Sequence, residues 1–404
     1  MSFRVALSGL NAASNDLNVV ANNVANANTT GFKSSRAEFA DVYANFAGGL
    51  GSGQIGSGVR LANVSQQFGQ GNIDFTDNTL DMAISGQGFF ILSDGGTRVY
   101  SRAGAFGVDR DGYVVNNTNQ RLQVYGATGG GNFNTGALTD LRLSSADSPP
   151  AATSEIEALV NIPANASAPA VAFDPADPDS FNHSTSLTVY DSLGAPHVAN
   201  LYFVKTANPN EWQAHAYIDG TAVGGANTLQ YSDTGQLTSP ANGQITLPAY
   251  TPGTGAADMN VTLNFSESTQ YGDRFGVNAL RQDGFATGRL SGVEITEEGV
   301  VQARFTNGQA TPLGMIALAN FANDQGLQPV GDTAWAESFS SGPAIQGQAG
   351  ASSFGVIQSG ALEASNVELT EELVNMIIAQ RNFQANSQVI STNDAVTQTI
   401  INIR

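Results

Sequence analysis

Apolar residues at the start of the chain recur at alternating steps of three and four. Phe3, Ala6, Leu10, Ala13, Leu17, Val20, Val24 and Ala27 make an a/d heptad seam, which predicts a helix over residues 1–30. The other end mirrors it. From Ser365 to Arg404 there is no Gly and no Pro, and Leu369, Leu373, Met376 and Ile377 begin an apolar stripe that Phe383, Ile390, Val396 and Ile401 continue. Ser365 with Glu368 reads as a capping box, and Glu368, Glu371 and Glu372 place negative charge where a helix N-terminus favours it. Such narrow seams need a partner. The two ends are expected to pair as a coiled coil and, since two helices leave apolar surface exposed, to meet further copies of the molecule.

Between the ends the period changes from helical to alternating. Asn26, Asn28 and Gly31 tolerate the left-handed conformation that ends helices. A short amphipathic piece (Phe39, Val42, Tyr43, Phe46) and a Gly-rich run over 48–58 then read as a connector, 31–70. From Val59 to about Leu143 short strands alternate with turn signals such as Asp94-Gly95-Gly96 and Asp109-Arg110-Asp111-Gly112. A Pro-rich stretch over 144–178 marks a boundary. Beyond it, Ser186–Tyr190 and Val198–Val204 flank Asp191-Ser192-Leu193-Gly194 as a hairpin, and Trp212–Ile218 alternates. From about Gly284 the chain resumes the strand-and-turn pattern of 59–143. The fold class expected is multidomain α+β: long terminal α-helices forming a coiled coil, with two nested mainly-β domains in the middle. The inner β domain takes 71–144 plus 285–360, the inserted outer one 145–284, and helix 1–30 pairs with helix 365–404.

Composition fits turns and strands, with 45 Gly in 404 residues and only 13% charged residues. The formal net charge is −19, and 145–284 holds 14 acidic against three basic residues, or −11. A chain this acidic is expected to avoid nucleic acid, whose binding depends on neutralising phosphates. Cys is absent, so disulfides, thiolate metal sites and thiol nucleophiles are excluded. The opening residues lack a charged segment followed by an apolar core, so no cleaved secretory signal is expected, and no apolar run is long enough for a membrane span.

Candidate chemistry is sparse. Gly86-Gln87-Gly88 lacks the third glycine of a nucleotide loop and runs straight into a strand, so it reads as a turn. His183, His197 and His215 fall in no tight ligand spacing. Glu155 with Glu157, and Asp174, Asp177 and Asp179, sit in Pro/Ala-rich stretches that read as solvated surface rather than as a glycoside-cleaving pair. No Gly-x-Ser-x-Gly elbow stands between a strand and a helix. No enzyme, cofactor or metal is expected.

Three stretches carry a resemblance. Asn22-Asn23-Val24-Ala25-Asn26-Ala27-Asn28-Thr29-Thr30-Gly31-Phe32-Lys33 resembles the N-terminal motif of bacterial flagellar axial proteins, the rod and hook family. Gly360-Ala361-Leu362-Glu363-Ala364-Ser365-Asn366-Val367, running into Leu373–Ile377 and Ala379-Gln380-Arg381, is similar to that family's C-terminal motif. Leu80–Ile84 with Gly86–Phe90 resembles its shared β core. The length and the inserted β domain resemble the hook members, most rod members being much shorter. Thr188–Gly194 and Ala319–Asn323 strengthen that likeness.

The resemblance implies a structural, self-assembling subunit of a curved helical tube, which joins the basal-body rod to the filament and transmits motor torque. It implies export by the flagellar type III apparatus to an extracellular hook without a cleaved signal. Rod proteins, a hook cap, hook–filament junction proteins and the export apparatus are the implied partners, with no membrane insertion. The motif residues it carries over are Asn22, Asn23, Asn26, Gly31, Phe32 and Lys33. The assembly contacts expected are Phe3, Ala6, Leu10, Ala13, Leu17, Val20 and Val24 with Leu369, Leu373, Met376, Ile377, Phe383 and Ile390. A distal rod subunit forming a straight tube is one alternative. A secreted β-rich adhesin or glycan-active protein is the other, and it predicts a stable monomer with a ligand pocket and ordered ends.

Overall fold

The computed structural model describes residues 2–42, 56–129, 131–144 and 146–402. Helix α1 spans Ser2–Ala25 and helix α2 spans Leu369–Asn402, about 36 Å and about 51 Å of helix. Among the described residues everything else regular is strand or short 3-10 turn, so the chain is mostly β with a helix near each end. Contacts divide it into two compact units. The first holds 1–145, 292–304 and 310–404, and the second 146–291 with 305–309.

The first unit is built on a large sheet. Its strand order is Leu290–Ile295, Val300–Phe305, Ala310–Asn320, Arg121–Gly129, Phe89–Asp94, Thr97–Ser101, Ala334–Ala336 and Gln328–Gly331. The strand period sends Phe90 and Leu92 to one face, with Met82, Ile84 and Ile316, and Phe89 and Ile91 to the other, with Tyr100, Phe321 and Trp335. Both faces are buried, which is why this strand reads as an unbroken apolar run.

The second unit is a sandwich. Glu155–Pro163 lies in a five-stranded sheet, and His183–Tyr190, Pro196–Lys205 and Glu211–Ile218 begin a six-stranded one. Ile156, Ala158, Val160 and Ile162 meet Leu201, Phe203, Trp212 and Ala214 in one core, as two inward-facing sets of alternating side chains should. The turn 305–309 belongs here because Thr306 N–H donates to Arg289 O (2.9 Å) and the Asn307 amide to Ala286 O (2.8 Å).

Three local expectations change. Residues inside the expected connector 31–70 form an antiparallel hairpin, β1 (Ser35–Asp41) with β2 (Val59–Gln66). Phe39, from the expected amphipathic piece, is therefore on a strand, paired with Leu61, because a distant segment supplies its backbone partners. Tyr43, Phe46 and residues 48–55 lie outside the described residues. Helix α2 starts at Leu369, so Ser365 is not its cap. Its Oγ accepts from Val367 N–H instead (3.3 Å), and the segment before the helix stays extended, with Ala364 N–H bonded to Asn72 O (2.8 Å).

Candidate assembly interface

The two helices run antiparallel. Asn23 near the end of α1 bonds to Glu372 near the start of α2 (3.0 Å), while a Cβ on Gly9 would come within 2.5 Å of the Asn386 side chain. Ala6, Ala13 and Val20, spaced by sevens, are buried, and Leu10, Leu17 and Val24 are half-buried. Small residues here let the backbones approach. A second side of α1 packs along the β1–β2 hairpin, where Ser8 Oγ accepts from Val59 N–H (3.2 Å). Phe3 remains exposed.

On α2 the expected contact residues fall on two faces. Met376, Phe383 and Ile390 are half-buried, in step with buried Ala379 and half-buried Glu372 and Asn386, and form the side turned to α1. Leu369, Leu373 and Ile377 point to solvent and, with Val374 and Ile378, make an apolar strip about half exposed at every position. The sequence stripe merged these faces because apolar residues occupy most sides of this helix. Contiguous exposed apolar surface of this kind is uncommon on monomeric proteins.

Below the helices, the end motifs meet in a buried polar junction. Glu363 Oε1 accepts from Lys33 Nζ (2.6 Å) and from Gly71 N–H (2.9 Å), and Glu363 Oε2 accepts from Arg102 (3.2 Å). The Lys33 and Glu363 side chains are fully buried and that of Arg102 nearly so. Lys33 also donates to Gly69 O (2.8 Å), and the Arg102 guanidinium lies 5.3 Å from the centre of the Phe89 ring. Burial pulls the Lys33 ammonium below its usual range; Glu363 opposes that pull and Arg102 adds to it. Burial also draws Arg102 down against the attraction of Glu363.

Amides complete the junction. Asn366 Oδ1 accepts from Ser34 N–H (2.8 Å) while its amide donates to Gln67 O (2.7 Å). Asn23 pairs with both backbone groups of Ser35, at 2.7 and 2.9 Å. Asn26 closes the end of α1 through Asn22 O (3.0 Å) and accepts from Thr29 (3.1 Å). Gly31, at φ +68°, donates to Glu363 O (2.8 Å), and any Cβ there would lie 2.4 Å from Ala103 N. Phe32 is half-buried, and Asn22 is exposed with its carbonyl serving the helix end. Nearby, Phe68 packs edge-on to Phe89 and Trp335, and Trp335 donates to Gln66 (2.6 Å).

Beside the junction a cleft of about 520 Å³ gathers Asp16, Glu368, Glu371 and Glu372 near Arg36. Burial pushes Asp16 and Glu372 up; at Glu372 the Asn23 bond opposes this, and Glu371 and Asp16 add to it.

Glu363 and Arg102 are junction residues that were not singled out from the sequence, although Glu363 lies within the C-terminal motif. Glu363 carried one signal, a lone charge in the apolar run Ala361-Leu362-Glu363-Ala364; Arg102, among ordinary strands and turns, carried none. The histidines are held by other groups. His183 stacks on Phe275 (4.5 Å), His215 stacks on Phe173 (3.9 Å), and His197 sits between Asp219 (2.5 Å) and Asp191 (3.2 Å). No group of three or more His, Cys, Asp or Glu among the described residues is arranged to hold a metal ion, and no described helix is long and apolar enough to cross a membrane.

Four family models match the chain. They are the flagella basal body rod protein (residues 3–33), the flagellar hook protein FlgE/F/G D1 domain (83–174), the flagellar basal body protein FlaE D2 domain (161–285) and the flagellar basal body rod FlgEFG protein C-terminal (358–403). Over the whole of both chains it is 39% identical to the flagellar hook protein FlgE of Salmonella typhimurium and to that of Escherichia coli. It is 32% identical to that of Treponema pallidum over 98% of each chain. Among solved structures, Helicobacter pylori flagellar hook protein FlgE2 shares the fold, with a TM-score of 0.54 at 17% identity over 72% of this chain and all of that one.

Proposed function

The chain belongs to the flagellar hook protein family, and from that premise we propose how it works as a subunit of the hook. Copies stack head to tail into a curved, flexible tube, because only a non-closing rotation between identical contacts gives a filament. The tube joins the basal-body rod to the filament and transmits torque through the bend. Helices α1 and α2 pair as a coiled coil, and the seam residues Ala6, Ala13, Val20, Met376, Phe383 and Ile390 hold that pair within one subunit. Leu369, Leu373 and Ile377, with Phe3 on α1, face neighbouring copies. Rod proteins, the hook cap and the hook–filament junction proteins bound the tube at its two ends, and the chain leaves the cell through the flagellar export apparatus without a cleaved signal.

The observation that carries this reading is the apolar strip of α2, left open to solvent beside a seam that is already filled. Most helical stability in proteins comes from packing of an apolar face, and sibling copies would cover the face of α2 that α1 leaves open. The full-length hook relatives favour the hook over a shorter straight rod subunit.

The test is Leu373→Asp in the full chain. Its side chain is half exposed, so the charge should leave both β units folded by circular dichroism while electron microscopy finds no tubes at concentrations where the parent chain polymerises. Tubes of normal appearance from this variant would remove the strip from the interface.

A further inference from the structure

The first unit carries a second apolar feature, outside both helices. Phe339 is 106% exposed, as open as in an extended peptide, and the next most exposed large apolar side chain among the described residues is Phe75 at 79%. A single surface phenylalanine needs no explanation. A rigidly presented one does.

The turn beneath Phe339 is held on every side. Ser338 Oγ donates to Gly326 O (2.5 Å) and accepts from Ser340 N–H (3.0 Å), and buried Ser341 accepts from Ser338 N–H through its Oγ (2.9 Å). Asn323 donates to Ser340 O (3.0 Å), and Gly326 lies so near that a Cβ on it would be 2.4 Å from Ser341 N. The backbone is therefore fixed while the ring touches nothing. An aromatic side chain on a fixed turn loses little entropy when it is covered, which is the property of an interface anchor.

The turn Ser338-Phe339-Ser340-Ser341-Gly342-Pro343 itself carries no charge, while Glu337 directly precedes it and Asp332 stands in the turn before. It follows strand Ala334–Ala336, whose neighbour Gln328–Gly331 is the outermost strand of the large sheet, exposed at all four residues, with Val330 54% exposed. In a head-to-tail stack of identical copies, an uncovered edge of one copy meets a different patch of the next.

We propose that Phe339 is an intersubunit anchor, by which the first unit of one copy grips the neighbouring copy outside the helical contacts. This rests on the proposed head-to-tail assembly and adds a second, β-borne contact to it. The partner is another copy of this chain.

The experiment compares Phe339→Ser and Phe339→Tyr with the parent, all full length. Both variants should melt as the parent does, since the ring has no internal contacts. Phe339→Ser should raise the critical concentration for tube formation about tenfold to a hundredfold, the value of covering one such side chain, and Phe339→Tyr should restore assembly. A critical concentration for Phe339→Ser within about twofold of the parent overturns the anchor, while Leu373→Asp still reports on the helical strip separately. If the parent forms no tubes at all, the assembly reading falls and the anchor falls with it.

A second measurement uses the absence of cysteine. An environment-sensitive dye on Ser340→Cys should shift to the blue when the labelled chain polymerises. Emission that stays solvent-like inside tubes overturns the proposal even if the critical concentration has moved, and points to another flagellar protein as the partner.

Discussion

Replacing Glu363 by Gln should be the most damaging isosteric change in the first unit. The carboxylate is fully buried and is the shared counter-ion of two buried cations, Lys33 at 2.6 Å and Arg102 at 3.2 Å. Glutamine keeps the shape and removes the charge. Lys33 is left with Gly69 O, and Arg102 with the Phe89 face and the more distant Asp324. Breaking a buried ionic group from one side costs about 3–5 kcal/mol, because the stranded charge keeps its desolvation penalty. Lys33→Met should cost less, about 1–3 kcal/mol, since Glu363 retains Arg102 and Gly71 N–H, and Gly69 O keeps the Asn366 amide (3.2 Å). The order of the two variants follows from the geometry. Hydrogen exchange of the amides in Phe89–Asp94, read by mass spectrometry on the dilute full chain, reports opening of this unit. Where exchange follows the opening equilibrium, Glu363→Gln should accelerate it about 150-fold to 4,000-fold. An acceleration below about tenfold, or a larger effect from Lys33→Met, would refute the idea of one carboxylate holding two cations.

Two further outcomes follow from the second unit and from a close backbone approach. Burial opposes the charge on His197, but hydrogen bonds to Asp219 and Asp191 outweigh it and raise its pKa above 6.5; Tyr250 and Thr254 complete the cluster. Burial likewise opposes Asp191, yet hydrogen bonds from Thr254, Ala195, His197 and Leu193 pull it down to about 2, and Asp219 is lowered as well. The raised histidine contributes stability below about pH 6.5 that is lost as pH rises through its folded value, and the lowered carboxyls contribute above about pH 4 and are lost as pH falls. Exchange in Glu211–Ile218 should thus be slowest between about pH 4 and 6.5 after correction for intrinsic rates; His197→Gln, costing about 2 kcal/mol, should abolish the alkaline limb. A profile rising steadily to pH 8 in the parent would contradict the clamp. Gly104→Ala should destabilise the first unit by about 3 kcal/mol or more, because the new methyl would lie 1.6 Å from Met82 O; a calorimetric melt matching the parent would show that the strands can part there at no cost.

The charge distribution bears on the same picture. The segment 145–284 carries −11 of the chain's −19, and its core residues Trp212, Phe203 and Leu201 are sealed between two sheets, while every acidic side chain except that of buried Asp191 is at least partly exposed.

Periodicity along the sequence determined what depends on neighbours a few residues away. The α1 seam at Ala6, Ala13 and Val20, the chain reversal at Asp191–Gly194 and the alternating strand at Trp212–Ile218 are local patterns, because side-chain direction repeats every 3.6 or two residues. Tertiary structure alone decided the rest. Residues 35–41 became a strand because β2, more than twenty positions on, supplies the backbone partners that a short apolar run leaves open. The apolar residues of α2 divided into a seam and a strip only once α1 covered one side. Glu363 met Lys33, 330 positions away, and Arg102, 261 away, through a carboxylate whose partners have no spacing to read. Local dihedral preference is written in the order of residues, whereas the pairing of buried charges depends on which distant segments close over them.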